Sequence, residues 1–415
     1  MKQVLKGVLT PTEEGIKKLD LALEDGRILA LSDHCDSEDA EVIPCDNFFV
    51  TPGLIDVHVH FREPGFEYKE TIGTGSFAAR VSGYQTVCTM PNLDPAPYDM
   101  TNLDIQREAI RKGAHVEVKP YGRITRDGSE LADLELLAPY VCAFSDDGKG
   151  VQGVVDMSEA MERAKALGKL IVEHCEDERF DTYDPRSEYM EVIRDLDLAA
   201  LTGCGFHVCH VSSRVTVDII AKAKARENAV DVTCETAPHY LLFNNQEGPF
   251  DKEGRPTVGN FKMNPPIRDP EDQEALIEGI KDGTIDMIVT DHAPHSAEEK
   301  AKGPEGPFGI VGLETAFPVM YTHFVKTGII SFDKLYKLMC VNPSKRFGIG
   351  RPYIKEGDPA DFFVFDLETP YTIDSATFVS KGKSTPFDGM EVYGRVLRQV
   401  IGGEWYDPRD FGGEQ

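Results

Sequence analysis

The sequence predicts an α/β protein whose main body is a (β/α)8 TIM barrel, joined to a small composite β domain formed from both termini. Three observations carry that expectation. Short β-rich runs alternate with longer helical patterns from about residue 50 to residue 295, the rhythm of βα units around a parallel sheet. Eight such runs can be counted, the number that a closed barrel of this kind needs. At 415 residues, 41% of them hydrophobic and 28% charged, the chain has room for a barrel of ~250 residues and a further small domain.

The runs are residues 54–60 (LIDVHVH), 86–92 (TVCTMPN), 116–121 (VEVKPY), 141–147 (VCAFSDD), 170–175 (LIVEHC), 206–212 (FHVCHVS), 230–236 (VDVTCET) and 287–292 (MIVTDH). Most are apolar along their length and turn polar only at the C-terminal end. The stretches between them read as helices. In VDMSEAMERAKALG, Met157, Ala160, Met161, Ala164 and Leu167 make an amphipathic stripe, and Gly168 stands as its stop. Residues 1–50 and 350–415 read differently, as short alternating runs such as 361–365 (DFFVF) and 394–401, broken by Gly and Pro. They are expected to pair as the composite β domain, leaving 51–349 as the barrel. The boundaries fall at Pro52-Gly53 and in the Pro-rich stretch 342–359.

Composition narrows the function. Forty-four Lys+Arg against 71 Asp+Glu leave a formal charge of −27, which repels nucleic acid and anionic lipid. A small anionic substrate would need its own local cation. The nine cysteines are scattered singly with no C-x-x-C pair, which suits a reduced compartment. The first residues lack a signal-peptide pattern, and nowhere do ~18 apolar residues run together. A cytoplasmic location is the expectation, with no nucleic-acid or membrane partner.

The chemistry gathers at the ends of the runs. Side chains alternate along a strand, so His58 and His60 point the same way and can grip one metal ion. Active sites of (β/α)8 barrels lie at the C-terminal ends of the strands, and the same logic collects Asp147, His174, His210 and Asp291. Four imidazoles and two carboxylates suit one or two borderline-soft divalent ions, zinc foremost. Arg62, two residues beyond His60, offers a planar fork for a substrate carboxylate. His207 is out of phase with His210 and is expected to face the helices. His239, Lys149 and Lys262 are expected in outer shells or solvent.

These residues carry a resemblance. PGLIDVHVHFREPG at 52–65, TMPN at 89–92, ETAPHYL at 235–241, KMNPPIR at 262–268, TDHAPH at 290–295 and PFGIVGLE at 307–314 resemble the cyclic-amidohydrolase branch of the amidohydrolase superfamily. More narrowly, they resemble the class I bacterial dihydroorotases. The resemblance covers nearly the whole chain and implies reversible hydrolysis of (S)-dihydroorotate to N-carbamoyl-L-aspartate in pyrimidine (UMP) biosynthesis. It implies two zinc ions held by His58, His60, Asp147, His174, His210 and Asp291, bridged by hydroxide and by Asp147. Many relatives bridge with a carboxylated lysine; here the matching place reads FSDDG, and Asp146 stays open as the alternative bridge. Asp291 would serve as the catalytic base and then acid. The substrate would meet His60, Arg62, Asn92, Asn264 and His295, with the backbone at Phe308 and Gly309 against the ring edge. As partners, the resemblance leaves open a homodimer and an association with aspartate transcarbamoylase.

Two other readings are weighed against this one. Dihydropyrimidinase, hydantoinase or allantoinase would handle rings without a carboxylate and generally keep the lysine, so Arg62 and Asn92 speak against them. A catalytically silent scaffold would have lost ligands, whereas all six are present.

Overall fold

The computed structural model describes residues 2–128, 130–226 and 230–410. Residues 411–415 of the expected C-terminal β segment lie outside the described residues. Seven of the eight runs become strands, all paired in parallel. Leu54–Val59 pairs with Tyr84–Thr89, and that with Glu117–Pro120. Ile171–Glu173, Phe206–Val208, Val232–Thr236 and Met287–Ile288 follow one another in the same way.

The run 141–147 enters differently. It touches its neighbours through single bridges of Phe144 to Gly122 and to Ile171 rather than as a regular strand. On the opposite side Val59 bridges to His292, and the His60 amide donates to the His292 carbonyl over 2.8 Å. The chain therefore pairs edge to edge from the first run round to the last.

Local sequence sets the helices between the strands. Thr71 closes a capping box on Ile72–Val81, Ser213 caps Arg214–Lys224, and Asp269 with Pro270 at the first helical position opens Pro270–Asp282. Gly203 and Gly283, both left-handed, end Arg186–Thr202 and Pro270–Asp282. In Val154–Ala166 the predicted stripe is buried at Met157, Ala160, Met161 and Ala164, while Leu167 forms the half-buried C-cap and Gly168 turns left-handed.

The two ends of the chain meet in one mixed eight-stranded sheet. Phe48–Thr51 pairs antiparallel with Phe362–Asp366, which continues to Arg395–Ile401 and Glu404–Tyr406. On its other side lie Gln3–Thr12, Gly15–Glu24 and Arg27–Ser32. An aromatic cluster pins this sheet to the helices that follow the last parallel run. Phe49 lies 4.7 Å from Phe332 and 5.8 Å from Phe365, and Phe365 lies 4.9 Å from Phe317, measured between ring centres. Gly83, at φ +84, makes room: a Cβ there would stand 2.2 Å from the tip of Phe365.

No helix among the described residues is long and apolar enough to cross a membrane. The nine cysteines are all free thiols.

Phe365 is fully buried between sheet and helices. Phe365→Ala should therefore lower the free energy of unfolding by ~3–5 kcal/mol in urea titration. A loss below ~1 kcal/mol would mean that the cluster repacks around the gap.

Candidate active site

The strand ends place their polar residues around one point. His58 Nε2 lies 3.3 Å from Asp147 Oδ1 and 3.6 Å from Asp291 Oδ1. His60 Nε2 lies 3.5 Å from Asp147 Oδ2 and 3.2 Å from Asp291 Oδ1. His174 Nδ1 and His210 Nε2 stand 3.6 and 3.7 Å from Asp147 Oδ1, and 2.8 Å from each other. All six residues expected from the sequence are brought together and buried.

Three of the imidazoles have their outward nitrogens occupied. Glu235 holds His58 Nδ1 at 2.5 Å, Asn92 Oδ1 holds His60 Nδ1 at 2.9 Å, and Glu176 holds His174 Nε2 at 3.1 Å. An acceptor on one ring nitrogen fixes the tautomer and leaves the other nitrogen's lone pair for the centre. The inward atoms are left over: Asp147 Oδ1 and His58 Nε2 are buried and take no hydrogen bond of ordinary geometry.

The electrostatics say what the centre wants. Burial would lower the basicity of His58, yet Asp147 and Glu235 raise it well above the usual histidine range. Burial would likewise raise the Asp147 and Asp291 carboxyls. The charge on His58 and contacts with His174 and His210 instead hold Asp147 well below the carboxylate range. The contact with His60 and the charge of His58 do the same for Asp291. Carboxylates that hold a proton on His58 would equally hold a cation there. Ligand atoms of His58, Asp147 and His210 lie within 4.8 Å of one another, as do those of His58, His60 and Asp291, so two overlapping triads share one imidazole.

Asp146 faces elsewhere. Its Oδ1 accepts from the amides of Ile124 and Thr125 at 2.8 and 3.1 Å and pairs with Arg123 at 2.9 Å, while Oδ2 accepts from the Thr125 hydroxyl. Those bonds tie the loop after Glu117–Pro120 to the fourth run, and they leave Asp147 as the carboxylate that points inward.

Above the cluster is a cavity of about 210 Å³ lined by both acids and, among others, by Arg62, Asn92, Asn264, His295, Phe308 and Gly309. Three larger clefts, of about 540, 450 and 370 Å³, carry none of these residues. Arg62 Nε donates to the Pro294 carbonyl at 3.3 Å and its guanidinium lies 3.5 Å from His295 Nε2. Burial and the nearby Arg62 and Lys69 charges pull His295 down to about 3, so its ring is neutral at ordinary pH. Gly309, at φ +128, lets the backbone come close: a Cβ there would stand 2.6 Å from the Ala293 carbonyl. Arg62, His210 and Asp291 also have positive φ, at 57°, 29° and 47°, a conformation non-glycine residues adopt only at a cost.

One expectation is corrected. His207 does not face the helices; it is fully buried, with Nδ1 2.7 Å from the Thr233 hydroxyl and Nε2 3.0 Å from Glu235. It therefore braces the carboxylate that orients His58. Burial opposes the charge on Glu235, but His58 and His207 together draw it down to about 2. Glu235 and Glu176 were not singled out in the sequence. The period-2 alternation that found His58 and His60 would have put Glu235 on the face of Thr233, but not beside His58. His239 sits in the short helix Pro238–Leu242, buried and neutral, with its ring 4.1 Å from Tyr240. Lys149 is exposed, and Lys262 donates to the Pro304 carbonyl at 2.6 Å.

Comparison with known proteins shows which family the chain is similar to. A family model described as Dihydro-orotase-like matches residues 48–216. A dihydroorotase from Bacillus cytotoxicus is 44% identical over 94% of this chain and 95% of its own. Another from Bacillus cereus is 43% identical over 97% and 98%. Among solved structures, L-hydantoinase (dihydropyrimidinase) from Arthrobacter aurescens superposes with a TM-score of 0.85 at 26% identity, covering 98% of this chain and 96% of that one. Dihydropyrimidinase from Brevibacillus agri has a TM-score of 0.82 at 23% identity, a likeness of fold.

The two neighbouring aspartates should separate in experiment. Asp146→Ala strips a buried acceptor from Arg123 and two amides and should cost of order 3 kcal/mol in urea unfolding of metal-free protein. Asp147→Ala should cost less there, but should lower bound divalent metal measured by elemental analysis. The reverse ranking would make Asp146 the inward ligand.

Proposed function

The chain belongs to the dihydroorotase family, and we propose that it interconverts (S)-dihydroorotate and N-carbamoyl-L-aspartate for de novo pyrimidine (UMP) synthesis, as a zinc-dependent cyclic amide hydrolase. The reading includes a closed (β/α)8 barrel over residues 51–349, a composite β domain from residues 1–50 and 350–415, and a cytoplasmic location in which nine free cysteines stay reduced. The observation that carries the choice of substrate is Arg62, a buried guanidinium in the cavity wall beside the Asp147–Asp291 cluster of a protein with charge −27. A ring bearing a carboxylate supplies what that cation lacks.

His58, His60, Asp147, His174, His210 and Asp291 fit as ligands because two of their inward atoms are buried without a hydrogen bond and three of the four rings are held by acceptors behind them. One or two zinc ions bound there would supply Lewis acidity toward the ring carbonyl and make water acidic enough to attack near neutral pH. The chain's own residues do the rest. Arg62 and Asn92, with His295, seat the carboxylate, and Asn264 with the Phe308-Gly309 backbone seats the ring edge. Asp291, kept ionised by the imidazoles around it, takes the proton of the attacking water and returns it to the departing ring nitrogen. Glu176 links binding to the centre, since it holds both His174 and the Asn264 amide, the latter at 2.9 Å.

Loss of dihydroorotate absorbance, abolished by a chelator and restored by zinc, is the direct assay. In it, Asp291→Asn should reduce turnover by ~10²–10⁴-fold while most of the metal is retained. Wild-type turnover by that variant would take the proton-transfer role away from Asp291.

Arg62→Met should lower kcat/KM for dihydroorotate by roughly ten- to several-hundred-fold, the cost of a lost charge-assisted bond. It should gain nothing toward dihydrouracil or hydantoin. If the wild-type protein hydrolysed either of those rings faster than dihydroorotate, the substrate reading would fall and a hydantoinase-like one would replace it.

A further inference from the structure

One buried cation takes no part in the chemistry above. Lys300 ends the short helix Ala297–Lys300 and is 8% exposed. Its ammonium donates to the carbonyls of Gly309 at 2.7 Å, Pro307 at 3.2 Å and Lys262 at 3.3 Å. An ammonium has three N–H donors, so a full set is spent on backbone carbonyls from two separate segments. Desolvating a charge is costly unless it is fully hydrogen-bonded, and Lys300 meets that condition only through these carbonyls.

The residues joined in this way are walls of the cavity. Two residues beyond Lys262 is Asn264; between Pro307 and Gly309 is Phe308; five residues before Lys300 is His295. Asn264, His295, Phe308 and Gly309 all line the cavity. The contacts interlock: the Gly309 amide donates to the same Lys262 carbonyl at 3.0 Å, and the Phe308 carbonyl faces His295 Nε2 at 2.7 Å. The strap 307–309 is thus held at both ends by Lys300 and in the middle by His295. None of these bonds reaches His58, Asp147 or His210.

We propose that Lys300 is a positioning residue, a tripod that sets the strap 307–309 against residues 262–264 and so shapes the ring-binding side of the cavity without touching the metal cluster. As a statement about dihydroorotate binding, it rests on the function proposed above.

The test uses metal-loaded wild type, Lys300→Ala and Lys300→Gln. KM for dihydroorotate should rise roughly tenfold or more, as expected for losing charge-assisted bonds that hold a binding surface. kcat should change much less and bound metal should not change. Propylammonium, the missing part of the side chain, should lower the KM of Lys300→Ala but not of wild type. A purely structural lysine would shift the melting temperature and leave KM alone, and a folded variant with wild-type KM would overturn the proposal. Amide hydrogen exchange gives a readout independent of substrate: residues 262–264 and 308–309 should exchange faster in Lys300→Gln than in wild type, with strand 54–59 unaffected. If wild type fails to hydrolyse dihydroorotate, the functional reading falls alone. Unchanged exchange at 308–309 would then sink the tripod on its own terms.

Discussion

A carboxylate buried among four imidazoles is the constraint to which the surrounding structure answers. Asp147 is 3% exposed, and the rings about it approach within 3.3–3.7 Å without forming ordinary hydrogen bonds. Such a centre is unfavourable by itself and persists only if its parts are held from behind. The second ring of acceptors does that: Glu235 on His58, Asn92 on His60, Glu176 on His174, and His207 in turn on Glu235. Each comes from a different stretch of chain. The parallel pairing around the site is what holds those stretches in one register.

Much of the inner layer was legible in the sequence because it depends on rules with a short period. H-x-H on a strand puts two rings on one face, and the ends of successive apolar runs put Asp147, His174, His210 and Asp291 at the same level. The outer layer depends on register between strands, which no single run contains. His207 is opposite Thr233, so Glu235, two residues on, comes within reach of both His207 and His58. Read along its own run, His207 is merely out of phase with His210, and that run alone points it to the wrong side. The fourth run shows another limit. Its apolar pattern marks a buried segment correctly, but the run pairs with its neighbours through bridges at Phe144 and scattered backbone bonds rather than as a regular strand, and Asp146 turns its side chain to the amides of Ile124 and Thr125.

Three of the six non-glycine residues with positive φ among the described residues belong to the site. Arg62, His210 and Asp291 sit where strands end and the chain must turn while a side chain still points inward. Left-handed backbone at a non-glycine residue costs ~1–3 kcal/mol, and the surrounding pairing has to outweigh it. Gly309 meets the same demand without a side chain, where the backbone itself is the contact surface. The site is therefore built from two kinds of positions: those where a side chain is worth the strain, and those, Gly309 and Gly148, where left-handed backbone is met without one.

The terminal sheet has a consequence for how the chain is made. Phe48–Thr51 leads directly into the first parallel strand, yet its antiparallel neighbour is Phe362–Asp366. During translation at ~5–20 residues per second, the interval between residues 51 and 362 leaving the ribosome is roughly 15–60 s. For that time the edge of Phe48–Thr51 that faces Phe362–Asp366 has no final partner and the ring of Phe49 lacks Phe365, while parallel pairing beyond them can already begin. An unpaired strand edge beside an aromatic side chain is a surface that chaperones bind and that neighbouring nascent chains can add to. The seam between early-made and late-made segments thus exposes biosynthesis of this enzyme to misassembly at a place apart from the residues that do its chemistry.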